Sequence, residues 1–595
     1  MVYHRLPAPV FRSIALGGAD ETGALPAGQL SKRLLLLHAV RRRLETLDSD
    51  ALPPDVLAAN WSGLTRARHA DSTEVDRLLL YPPIGTWGMR LLHRLQRSEP
   101  LDDSDLDDIG YLGGLATVAL MSAQLPGETV IRVRSDGTSS FPRLGRFGSL
   151  GEPRWLTATV VPDRGLVRLR EERTIIAVAG DDPRWSAVRQ LQSNSAGQRL
   201  VVTLDDIDPY RSPEEVPSDE RLADVAVARW QTCLDEAWNI LVKHHPTRAA
   251  AISRDITSLT PLRSTAREPQ LSASSGESFG GIALTTPRHG EGMAEALVHE
   301  HQHIKLWALL ALVPLVDSAD ERLFYAPWRA DPRPAGGLLQ GAYAFFGLVD
   351  FWEVERHRRR GVLGRMAHFD FARWRGAVDE ALRTLEDAGV LTDTGRVFVA
   401  DMRSALAPLL AAPVPTPMTE LAEEADLEAR LGWRLRNLPV SRRDLDALVR
   451  AWRDGRSCPP DAVRSGAPRP GSRGSRPTGR QWLARERLIA DDETFDDVRT
   501  PSPGPQPADY AFARGDHTLA ARLYAESVSS PTAPFDSWTG LALAHARAHS
   551  AAAGALVTYP EVVRALWDAL QPEAPPPESL AEWVAKGLDR RRLDH

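Results

Sequence analysis

The sequence predicts an α+β fold, predominantly helical, with a small antiparallel sheet in its N-terminal half, a metal site between two core helices and a helical C-terminal unit. Three observations carry the fold class. Apolar residues recur at helical spacing over most of the 595 positions. Short β-branched runs are concentrated in residues 129–204. A stretch at 456–478 of Pro, Gly, Ser and Arg, almost without aliphatic side chains, sets the last helices apart.

Taken in order, residues 1–125 read as a helical region, with Leu34, Leu35, Leu37 and Val40 near helical spacing and polar breaks over 48–54. Residues 126–215 form a small β-rich region: the runs 129–133, 156–161, 166–169, 174–178 and 199–204 are divided by turn pairs such as Asp136-Gly137 and Arg164-Gly165. Residues 216–455 are expected to be a helical metal-binding catalytic core. It opens with a helix over 219–242 whose Val227, Trp230, Leu234, Ala237 and Leu241 share one face, and it includes a strand at 282–286. Residues 456–480 are expected to be a flexible linker. Residues 481–595 read as a helical unit in which Tyr510, Ala511, Ala513, Gly515, Tyr524 and Trp538 follow a tetratricopeptide-like pattern over about one repeat.

Composition bounds the function classes. With 43% hydrophobic and 25% charged residues the chain is ordinarily globular and long enough for two or three folded units. The net charge of -7 is spread over interspersed signs, so no nucleic-acid partner is expected. The arginine runs 41–43 and 358–360 read as solvated helix faces. Two distant cysteines, Cys233 and Cys458, exclude a disulfide framework or a cysteine zinc site and fit a reducing cytoplasm. No export signal or membrane span is expected, so the chain is assigned to the cytoplasm.

The chemistry concentrates at His299-Glu300-His301-Gln302-His303. Histidines four apart on a helix project from one face a turn apart, so His299 and His303 can reach the same ion. Apolar residues flank the motif on both sides, and burying that much polarity without a partner would cost several kcal/mol. His301 points elsewhere, as a surface or supporting residue. The third ligand decides the chemistry. A zinc metallopeptidase uses Glu300 as general base on water and takes a carboxylate from a later helix. An iron oxygenase needs two histidines, one further ligand and open positions.

The second helix is expected over 335–356, where Gln340 is the one strongly polar side chain before Asp350. Gln340 reads either as a core amide or as a neutral oxygen donor to the metal; Asp350, Glu353 and Glu355 are the carboxylate alternatives. Before it, Pro327-Trp328-Arg329-Ala330-Asp331-Pro332-Arg333-Pro334 is a rigid turn. Its Arg329 and Arg333 either clamp a co-substrate carboxylate or pair with Asp331.

Ser278-Phe279-Gly280-Gly281, the motif block 298–306, the turn 329–333 and Gly337-Leu338-Leu339-Gln340-Gly341-Ala342-Tyr343 together resemble the 2-oxoglutarate-dependent peptide β-hydroxylases built on a His-Glu-x-x-His motif. The likeness extends over most of the chain up to about residue 450 and is most specific over 278–352. It implies Fe(II) held by His299 and His303, with Gln340 at a position that is His or Gln in the family. It also implies 2-oxoglutarate as co-substrate, a ribosomally made precursor peptide as substrate, and a radical S-adenosylmethionine enzyme of the same pathway as partner. Glu300 would then order the metal's surroundings rather than activate water. Zn(II) belongs to the metallopeptidase alternative.

Overall fold

The computed structural model describes residues 6–593 except 48–51, 54, 98, 163–165, 172–173, 179–181, 213–220, 264–270, 470–477, 490–503 and 530–534. Helix accounts for 61% of the structure, which upholds the predominantly helical class. The chain divides into two compact units, 1–314 and 315–595. That division falls inside the span 216–455 read from the sequence as one core.

In the first unit, helices Ala24–Leu44, Val56–Ala70, Ser72–Leu79, Pro82–Leu95 and Asp103–Ser122 precede a four-stranded antiparallel sheet of Gly127–Val133, Arg154–Val161, Leu166–Glu171 and Thr174–Val178. Trp87, Tyr111, Leu112, Ile131 and Leu156 share the core beneath it. The first strand lies at the sheet's edge, where unpaired backbone groups need partners. Asn60 supplies them: its amide donates to the Val130 carbonyl and accepts from the Val130 N–H, each at 2.8 Å. Three short strands, Ser139–Phe141, Gly145–Phe147 and Trp185–Ala187, form a second antiparallel sheet. The turn pair Arg164-Gly165 lies outside the described residues.

The third sheet departs from the antiparallel expectation. Its order is Ser272–Ala273, Gly281–Thr285, Ser258–Leu262, Gln198–Leu204 and Arg189–Ser195, and Ser258–Leu262 runs parallel to both of its neighbours. Helices Asp224–His244 and Pro246–Asp255 intervene between Gln198–Leu204 and Ser258–Leu262, the long connection that parallel pairing requires. Pro261, which cannot donate to a ladder, hides this central strand from a propensity reading. Gly281–Thr285 feeds directly into the motif helix, Gly290–Leu310. Gly280, at φ +84°, makes the turn into that strand, where a side chain would also crowd the Asp255 carbonyl.

The loop after Gln198–Leu204 carries a buried acidic cluster. Tyr81 donates to Asp205, Tyr111 to Asp208 at 2.7 Å and Tyr210 to Asp108. Burial and the neighbouring Asp205 carboxylate push the Asp208 carboxyl up to about 7. The folded protein therefore holds a proton from about pH 4 to pH 7 that the unfolded chain has released. This group's contribution to stability is present at low pH and lost as pH rises through about 7. Urea unfolding at pH 5 and pH 8 should show Asp208→Asn removing this contribution: relative to the unaltered chain, the variant's stability falls less, or rises more, with pH.

The second unit holds helices Ala335–Arg358, Gly361–Asp387, Asp393–Ala411, Thr416–Asn437 and Arg442–Arg453, followed by shorter helices from Gly479–Ile489 to Pro577–Leu593. Of the span 456–480 expected as a linker, 470–477 lies outside the described residues. Residues 456–469 are packed: Val463 is fully buried, and the N–H groups of Gly466 and Arg469 donate to the carbonyls of Pro439 and Asn437. The arginines at 358–360 also differ from a solvated face, because Arg358 and Arg359 converge on the fully buried Glu355. In the C-terminal helices, the hairpin carrying the tetratricopeptide-like pattern pairs a seven-residue helix, Pro507–Ala513, with a twelve-residue one, His517–Val528. Beside it, buried Arg480 joins Glu428, Asp509 and Tyr524. Among the described residues no helix is long and apolar enough to cross a membrane.

Candidate metal centre

The motif helix is held at its start by two caps. The His289 side chain accepts the Gly292 N–H, and Glu236 of helix Asp224–His244 accepts the Gly290 N–H. Helical spacing then turns His299 and His303 to the same side, their ring centroids 4.8 Å apart and the planes at 81°. Burial and the adjacent His303 ring push the His299 imidazole down to about 3. It is therefore neutral at physiological pH, the form in which a ring nitrogen can coordinate a metal. These two side chains fit the nitrogen half of a divalent metal site. Among the described residues no group of three or more His, Cys, Asp or Glu side chains is arranged to hold a metal.

Glu300 is buried one position round the helix, and both of its oxygens are engaged. Ser272 Oγ donates to one and Ser274 Oγ to the other, each at 2.7 Å. The serines belong to the edge strand Ser272–Ala273 and the residue after it, so the carboxylate ties the motif helix to the sheet. These partners sit in the small, glycine-rich segment 272–281 that precedes the strand expected at 282–286. Only the need of a buried carboxylate for donors points to them.

His301 turns to the opposite side and is buried. Its Nε2 lies 2.8 Å from Asp255, which also takes the Arg254 guanidinium. Burial drives the His301 pKa down, against the pull of Asp255, so the ring is a neutral anchor and takes no part in ligation. Asp255→Ala leaves the buried, neutral imidazole without its hydrogen-bond partner and is expected to cost about 2 kcal/mol. Chemical denaturation should show that loss with metal stoichiometry unchanged.

Within the second unit, Gln340 is buried on Ala335–Arg358. The next residue, Gly341, is required by packing: a Cβ there would lie 2.3 Å from the Trp328 indole, which stacks on Phe345 with centroids 4.9 Å apart. Trp328 in this way seats the arginine turn on the helix. Asp331 in that turn accepts Arg329 Nε at 2.8 Å and Nη2 at 3.4 Å, whereas Arg333 only reaches it at 3.5 Å. Burial opposes ionisation of Asp331, but the Arg329 hydrogen bond and charge outweigh it and hold the carboxyl below its ordinary range. Arg329 is thus an ion-pair partner, and Arg333 lies along the first turn of the helix with its Nε beside Gly337.

The carboxylate alternatives are engaged elsewhere. Glu353 pairs with Arg356 through both oxygens and with His357, and Glu355 lies between Arg358 and Arg359. Asp350 is exposed on the same helix. Comparison with known protein families and with curated proteins finds no match to this chain.

Proposed function

We propose that the protein is an Fe(II)- and 2-oxoglutarate-dependent oxygenase that hydroxylates a side-chain Cβ in a ribosomally made precursor peptide. The observation that supports it best is the pair of serine hydroxyls on Glu300. A peptidase base must present a carboxylate oxygen to metal-bound water, and here each oxygen faces a hydroxyl of the edge strand. Glu300 positions; it does not activate. His299 and His303 supply nitrogen donors, and the sequence resemblance names Gln340 as the further ligand, a neutral amide that leaves the metal its full charge. Arg333, only loosely held by Asp331, is the arginine with donors left for a co-substrate carboxylate.

When bound, the iron would couple loss of CO2 from 2-oxoglutarate, giving succinate, to insertion of one oxygen atom of O2 into a Cβ–H bond. The residues around it bind and orient, and burial keeps the His299 imidazole neutral. Incubation in air with Fe(II), 2-oxoglutarate and the substrate peptide is expected to yield succinate and a peptide heavier by one oxygen in equal amounts. Peptide cleavage on Zn(II), with no succinate on Fe(II), would establish the metallopeptidase with Glu300 as its base.

A further inference from the structure

Helices Ala24–Leu44 and Val56–Ala70 carry matching stripes. Leu34, Leu37, His38 and Arg41 on the first stand at i, i+3, i+4 and i+7, as do Trp61, Leu64, Thr65 and Arg68 on the second. On each, the apolar positions come first and an arginine last. The stripes face across a cavity of about 270 Å³, closed by Leu79 and rimmed also by His69. Its floor is buried and apolar, its rim holds two guanidinium and two imidazole groups, and no acidic side chain lines it among the described residues. No residue of the motif helix lines it either.

We infer that this groove docks an acidic peptide segment through one large apolar side chain. The cavity is smaller than the ~300–1,000 Å³ typical of small-molecule sites, and it suits a single Leu, Phe or Trp anchor. The rim is complementary to carboxylates on either side of such an anchor. Arg41 is pre-positioned: its Nε donates to Glu45 at 2.8 Å and its guanidinium lies 6.0 Å over the Trp61 ring. Arg68 is held more tightly, donating to Asp76 through Nε at 2.6 Å and Nη2 at 3.3 Å, so Arg41 is the principal arginine for an incoming carboxylate. The Arg41–Glu45 pair is half-exposed on both sides, so it contributes little and leaves Nη donors for an incoming carboxylate. Arg41, the first of the arginine run at 41–43, thereby acquires a role that its spacing alone does not disclose.

The test uses the full chain without metal, so it is independent of the oxygenase reading. Fluorescence anisotropy would follow a labelled twelve-residue peptide of Glu and Asp around a single Phe. Saturable, salt-sensitive binding is expected, weakened about tenfold or more by Arg41→Glu, by Phe→Ser in the peptide, and by Thr65→Trp, which fills the cavity from an exposed position. Absence of saturable binding, equal binding of a peptide with Lys in place of its acids, or indifference to Arg41→Glu and Thr65→Trp would overturn the proposal. A change of oligomeric state on Thr65→Trp without peptide binding would assign the groove to a second copy of the chain and overturn it equally.

Discussion

His303→Ala is expected to lower Fe(II) affinity by more than about 100-fold, because it removes one of the two imidazoles on the shared helical face. Loss of a residue that merely supports a ligand costs about 10–100-fold, and His303 is a ligand itself in this account. Its ring stands 4.8 Å from that of His299, on the same helical face. His303 is only partly buried, so alanine there leaves no large void and the fold should persist. His299→Ala should match it in metal loss. Gln340→Ala should weaken iron retention too, and unchanged stoichiometry would turn attention to Asp350, since Glu353 and Glu355 are held by arginines. Calorimetric titration with Fe(II) under argon, alongside circular dichroism, separates metal loss from unfolding.

Glu300→Ala is expected to destabilise the first unit by about 3 kcal/mol, since two hydrogen bonds to a buried carboxylate are lost at ~1.5 kcal/mol each. Glu300→Gln should cost about 1 kcal/mol, because an amide still accepts from one serine while its NH2 faces a hydroxyl that can rotate. The functional consequence distinguishes the two chemistries. A positioning residue replaced by its neutral isostere keeps iron binding and part of the succinate production. A general base replaced in that way loses hydrolysis altogether. Thermal unfolding and succinate yield, measured on both variants, give the two readouts together.

The part of the site legible in the sequence is the part fixed by local spacing. Two histidines four apart on an apolar helix point to one face whatever surrounds them, and Gln340 is conspicuous because its neighbours are Gly, Leu, Ala, Tyr and Phe. The helix expected over 335–356 is found as Ala335–Arg358, its last turn prolonged by the pairing of Arg358 and Arg359 with Glu355.

What escaped a sequence reading depends on contacts between distant segments. Ser272 and Ser274 acquire their role only because the sheet brings them 28 and 26 residues back onto Glu300. Asp255 acquires its role through a contact 46 residues away in sequence. The parallel strand Ser258–Leu262 was concealed by its proline. Residues 456–469 look like a linker by composition, yet backbone hydrogen bonds to Asn437 and Pro439 hold them in place. Arg329 and Arg333 look equivalent in the sequence, but the structure gives Asp331 mainly to Arg329.

The central claim is that His299 and His303 hold an iron that accepts 2-oxoglutarate. Its most direct test is visible absorption of the anaerobic protein titrated with Fe(II) and then with 2-oxoglutarate. The account predicts a charge-transfer band that appears only with both additions, saturates at one equivalent of each, and is absent from His303→Ala. No band in the intact protein, or a band that survives His303→Ala, would contradict it.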